Sequence, residues 1–171
     1  MEEEIIGATE ILNGLKYHAE NFLEYEKNLD ISNPFLHKGS HKLIKKMNHE
    51  AIAYFNRMGQ FYYFSKSKKV GQIISDFENH IPNINKFIIF RMKQSAHRAT
   101  DAPRGEDPNK MKQLDNLFTF QSMFLNGKLW YQVMLDKADL KTGKLSVNFI
   151  MSENHPEIVS EIERFIAKIS K

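Results

Sequence analysis

The run Arg91-Met92-Lys93-Gln94-Ser95-Ala96-His97-Arg98 sets a histidine six positions after an arginine, ahead of Asp101, Arg104, Glu106 and Asp107 in a turn-rich stretch. Imidazole titrates near neutrality and suits proton transfer. Guanidinium presents a rigid fork of donors that fits a phosphate. On a helix, Arg91, Ser95 and Arg98 share one face, while His97 points near Lys93 and reaches toward Asp101. Together the pair has the equipment to cleave RNA without a metal. His97 would handle a proton of the 2′-hydroxyl or of the leaving oxygen, and Arg91 would steady the charge building on the phosphoryl group. Lys93, Arg98 and Arg104 are the candidate substrate-binding residues. A structural role competes at the same positions. His97 and Arg98 at a helix C-terminus each stabilise the dipole by about 0.3–1 kcal/mol, and Arg104 beside Glu106 or Asp107 can pin a loop.

Other chemistries are excluded by the letters. His49-Glu50-Ala51-Ile52-Ala53 begins like a zinc-protease motif, but Ala53 stands where the second histidine belongs. No Glu-x-x-His occurs, so a di-iron bundle lacks its ligands. Gly127-Lys128 and Gly143-Lys144 are followed by leucine and lack the upstream glycine of a phosphate-binding loop. No dinucleotide-binding glycine pattern is present. With no cysteine there is no disulfide, thiolate metal site or cysteine nucleophile. His37 and His41 are four apart, but Gly39 and Ser40 between them point to two exposed histidines in a basic connection. No metal and no cofactor is expected.

At Arg91 and His97 the chain resembles the HEPN family, whose Arg-x4–6-His motif ends a helix of an α-bundle. The resemblance is close over residues 87–98 and covers the helices of residues 5–98 in broad shape. The family often carries a polar residue directly after the arginine, where this chain has Met92, and a minimal HEPN bundle lacks the segment after residue 116. The resemblance implies a helical, dimeric protein, many of whose relatives are metal-independent ribonucleases of toxin–antitoxin and antiviral systems. It further implies that Arg91 and His97 are the catalytic pair, joined with their copies across a homodimer interface.

Periodicity supplies the elements that must position these groups. Ile5, Ala8, Leu12, Leu15, Ala19, Phe22 and Leu29 recur at three- and four-residue steps, predicting a helix that Pro34 follows. A second helix is predicted from an N-cap at Ser40 to about Ser65, striped by Leu43, Ile44, Met47, Ala51, Tyr54, Phe55, Met58, Phe61 and Tyr62. A third starts near Val70 with Ile73, Ile74, Phe77 and Ile81, and a fourth runs from Asn83 to roughly Arg98, with strand as the competing state at Phe87–Phe90. Beyond residue 116 the period becomes two. Phe118, Phe120, Ser122 and Phe124 predict a strand, Asn126-Gly127 a hairpin turn, Leu129 to Leu135 its partner, and Leu145, Val147, Phe149 and Met151 a third strand. Pro156 is expected to open a last helix through Ile158, Val159, Ile162, Phe165, Ile166 and Ile169.

The expected fold class is therefore α+β, mainly α, in a single domain of residues 1–171. It comprises an antiparallel four-helix bundle (1–98), a loop region (99–116), a three-stranded antiparallel β-meander (117–151) and a C-terminal helix (156–170). Hydrophobic residues at 42% and charged residues at 26% of 171 exclude a disordered chain. No apolar run approaches the ~20 residues of a membrane span, and Glu2-Glu3-Glu4 has the wrong charge for a secretory leader, so a cytoplasmic protein without membrane contact is expected.

The formal net charge of +3 is unevenly spread. Eight acids and two lysines occupy residues 1–30, whereas residues 37–69 hold Lys38, Lys42, Lys45, Lys46, Arg57, Lys66, Lys68 and Lys69 against Glu50 alone. One consequence is an anion-binding face for RNA. The plainer one is that two antiparallel helices complement each other's charge. The functional expectation is an RNA-directed HEPN-like protein acting as a metal-independent endoribonuclease. The alternative is a non-enzymatic protein that binds a partner protein through a sheet edge or through Phe61, Tyr62, Tyr63 and Phe64.

Overall fold

A computed structural model describes residues 2–29, 38–65, 119–134 and 148–171. Among these, α1 spans Glu2–Lys27 and α2 spans Lys38–Ser65, followed by β1 (Thr119–Leu125), β2 (Lys128–Met134), β3 (Asn148–Ile150) and α3 (Met151–Ile169).

The apolar stripe of α1 becomes its buried edge, with Ala8, Leu12, Leu15, Ala19 and Phe22 all in the core. Glu2, Glu3 and Glu4 in its first turn and Lys27 in its last both suit the helix dipole. Helix α2 contributes Met47, Ala51, Tyr54, Phe55, Met58 and Phe61. Contacts between the two helices run in opposite directions along the chain. Gly7 lies against Phe64, Gly14 against Arg57, His18 bonds Glu50, and Tyr25 lies under Lys46. The pair is thus an antiparallel hairpin. Helix α3 packs Phe165 on Phe61 and Phe64 and sets His155 beside Tyr54, so it runs parallel to α2.

The sheet covers one end of this core. β1 and β2 pair antiparallel from Thr119↔Met134 to Leu125↔Lys128, around Asn126 (φ 51°) and Gly127 (φ 76°). Positive φ at both positions is what a tight hairpin turn with the twist of its strands requires, and Asn-Gly supplies it at least cost. β3 adds three residues to the other side of β2. Leu129, Tyr131 and Phe149 face the helices: Tyr131 meets Phe22 and Phe55, and Phe149 meets Tyr54 and Phe55. Each fully buried side chain of this size is worth about 1.5–3 kcal/mol. Aromatic packing therefore joins sheet to helices.

The expected fold class requires correction. The described residues are mostly helical: three helices and a small sheet share one core, in place of a four-helix bundle with an appended meander and closing helix. Two physical features account for the difference. The third strand, described over Asn148–Ile150, ends before Met151, which turns inward as the first, fully buried residue of α3; Leu145 and Val147 lie outside the described residues. And α3 starts ahead of Pro156, which sits inside the helix. That proline lacks the N–H that would bond back one turn. The helix start is held by another bond: the Asn154 Oδ1 accepts from the Ile150 N–H at 2.8 Å. Helix α2 likewise begins at Lys38, leaving Ser40 within its first turn and only 4% exposed, so Ser40 is not the cap. The helices expected over 70–81 and 83–98 and the loop over 99–116 lie outside the described residues. No helix among the described residues is long and apolar enough to cross a membrane.

Candidate nucleic-acid interface

Arg91, His97, Lys93, Arg98 and Arg104 lie outside the described residues, as do His37 and Lys66, Lys68 and Lys69. The other sequence-predicted bases stand on α2. His41, Lys42, Lys45, Lys46 and His49 are all exposed. His41, Lys45 and His49 occupy successive turns, with Lys42 and Lys46 alongside, so the five line a stripe about 12 Å long. Their cause is simple: Met47 and Ala51 turn one side of α2 into the core, and the lysines occupy the opposite side.

Among the described residues, no acid of α1 pairs with the lysines of this stripe. Lys42 and Lys45 have no ion-pair partner among the described residues. Lys46 places its Nζ 4.9 Å from the centre of the Tyr25 ring, a cation–π contact. A side-chain hydrogen bond crosses from α1 to α2 between His18 Nδ1 and Glu50 Oε2, 2.7 Å apart. The exposed acids Glu10, Glu20 and Glu24 sit on the outer side of α1. The charge asymmetry of the sequence survives as a surface feature.

Two buried polar contacts were not legible in the sequence. The Tyr54 hydroxyl lies 3.0 Å from His155 Nδ1 at the base of α3. Burial pushes the Tyr54 hydroxyl well above its ordinary range, so it keeps its proton and donates. Burial lowers the His155 pKa, Lys16 lowers it further, and Glu20 works in the opposite direction. A neutral imidazole accepting at Nδ1 satisfies both trends. Glu26 is the second case. Its Oε1 accepts from the Leu129 N–H at 3.1 Å, tying α1 to the sheet. Burial raises its pKa, against the lowering effects of that bond and of Lys128.

Neither contact has the setting of a reaction centre. Tyr54 is fully buried, out of reach of any substrate, and Glu26 spends its carboxylate on backbone. The Trp130 indole N–H is buried without a partner, and strand alternation puts that ring on the face of β2 opposite Leu129 and Tyr131. No group of three or more potential metal ligands occurs among the described residues. The aromatics at the end of α2 turn inward where they are described: Phe61 is fully buried, and half-buried Phe64 packs on Phe165.

Comparison with known protein families, with curated proteins and with solved structures finds no match for this chain.

Proposed function

We propose that this chain is an RNA-directed, HEPN-like protein that binds RNA along α2 and cleaves it without a metal at Arg91 and His97. Lys93, Arg98 and Arg104 hold the strand beside that pair. The single observation that supports the binding half is the exposed row of Lys42, Lys45 and Lys46 on α2, none of which pairs with an acid among the described residues. Phosphate contacts by such side chains release counterions, which drives association whatever the sequence bound. The cleaving half rests on the Arg-x5-His spacing and on the chemistry of its two side chains. In this reading a cytoplasmic homodimer brings two Arg91/His97 pairs together.

Incubation with a mixed RNA pool in EDTA tests the reaction. Cleavage by the wild type and its loss in His97→Ala, with unchanged circular dichroism, is the expected result. Equal cleavage by both proteins contradicts the assignment of His97.

A further inference from the structure

We infer that, in the absence of RNA, the outer face of α1 docks on the outer face of α2 in a second copy of this chain, where its carboxylates occupy the lysines that RNA takes in the reading above. The docking stands on the two helix faces alone; what it covers rests on the RNA-directed reading.

The two faces lie side by side on the same side of the molecule. Ala8, Leu12, Leu15, Ala19 and Phe22 of α1 enter the core, which leaves Glu10, Tyr17, Glu20 and Glu24 exposed on the opposite side. Tyr17 is 61% exposed, and Ile6 on the same side is 53% exposed, so apolar surface stands among the carboxylates. On α2, Met47, Ala51, Tyr54 and Met58 enter that same core and leave Lys42, Lys45, Lys46 and His49 outside. Glu10, Glu20, Lys42 and Lys45 have no ion-pair partner among the described residues. One outer surface is thus acidic along α1 and basic along the first half of α2. It is complementary to itself.

A two-fold axis parallel to the helices satisfies both halves at once. Rotation about it lays α1 of one copy antiparallel over α2 of the other and closes the pair, so no open chain of copies forms. It also keeps every residue at its own height along the axis. Those heights are set by contacts within the chain: Gly7 is level with Phe64, Gly14 with Arg57 and Tyr25 with Lys46. On the same ladder Glu24 is level with Met47 and Glu20 with Ala51. These two carboxylates therefore meet Lys45, Lys46 and His49 of the other copy. Tyr17 is level with Tyr54, beside which α2 turns out only the methyl of Ala53, and the ring can lie on it. The area also suffices. Helices of 26 and 28 residues are about 40 Å long, and two side by side are about 18 Å wide. That is about 700 Å² on each copy, close to the ~800 Å² per partner of a standard interface.

The test mixes unlabelled and isotope-labelled wild type and treats the mixture with a carbodiimide, which joins a carboxylate to an adjacent lysine amine. A cross-link carrying both isotopes lies between copies. Mixed links from Glu20 or Glu24 to Lys45 or Lys46 are expected, and saturating oligouridine should suppress them. Absence of such links overturns the docking. Links that persist while oligouridine is bound leave the docking and overturn its role as a cover. Links in a protein that binds no oligouridine overturn the RNA-directed reading, with the docking intact. Charge reversal checks the pairing: Glu20→Lys/Glu24→Lys and Lys45→Glu/Lys46→Glu should each self-associate about tenfold or more weakly in sedimentation. Mixing the two variants sets opposite charges face to face again and should restore association. Variants that associate no better together than apart contradict the pairing.

Discussion

The Tyr54 hydroxyl donates to Nδ1 of His155 across 3.0 Å, joining the middle of α2 to the start of α3 over 101 residues of sequence. The rings also meet edge-on, 5.6 Å between centres, and Phe149 closes the same pocket against Tyr54. The contact needs a neutral imidazole, because a protonated one offers no acceptor at Nδ1. Lys16 on α1, itself 2.8 Å from Glu163, adds to the cost of a positive charge there, and Glu20 reduces it.

Stability should therefore fall in mild acid. The folded-state pKa of His155 lies below its ordinary value of 6.5, so the unfolded chain binds more protons between the two values. The contribution is fully present above pH ~6.5 and is lost as pH falls through the unfolded value toward the folded one. Glu26, whose folded pKa is raised above 4.5, acts in the opposite sense: its contribution grows as pH falls through its folded value. Urea unfolding at several pH values, wild type against His155→Gln, isolates the histidine. The difference between the two proteins should change across the interval below pH 6.5; a constant difference contradicts the neutral-imidazole account.

Removing the Tyr131 hydroxyl tests the polar tie between sheet and helices. It donates to Asn48 Oδ1 at 2.9 Å, while the ring packs between Phe22 and Phe55. Tyr131→Phe keeps the ring and loses the bond, at an expected cost of about 0.5–1.5 kcal/mol. Asn48 is only half-buried, so water can reach its oxygen and the cost should stay within that range. The urea midpoint should drop with an unchanged slope.

Phe55→Ala should be far more damaging. The ring is fully buried and touches Tyr54, Tyr131 and Phe149, with the Phe149 ring centre 5.0 Å away. Truncation removes its transfer energy and leaves a cavity, together about 3–5 kcal/mol. Domains have a total of about 5–15 kcal/mol, so this one substitution takes a large share. A loss below about 1 kcal/mol in urea would contradict the placement of Phe55 at the junction of sheet and helices.

These contacts also show what one sequence reveals. The stripe from Ala8 to Phe22 and the turn at Asn126-Gly127 were readable because each rests on local rules, helical period and tolerance of positive φ. The start of α3 was not. Pro156 ordinarily marks a first turn, and here Asn154 and the burial of Met151 extend the helix ahead of it. That junction ends the third strand at Ile150 and brings the last helix into the main core. At the candidate interface, the exposed lysines were legible as a charge run. Tyr54 and His155 are too distant in sequence for any pattern to pair them.

The central claim is that α2 presents a phosphate-binding face, and a salt titration of RNA binding tests it most directly. Affinity of wild type for a short single-stranded RNA should fall linearly with the logarithm of salt concentration, with a slope of about −0.7 for each phosphate contacted. Lys42→Glu/Lys45→Glu should bind more weakly and with a shallower slope, by about 1.4 for two lost contacts. A wild-type slope near zero, or an identical slope in the double variant, would contradict the account.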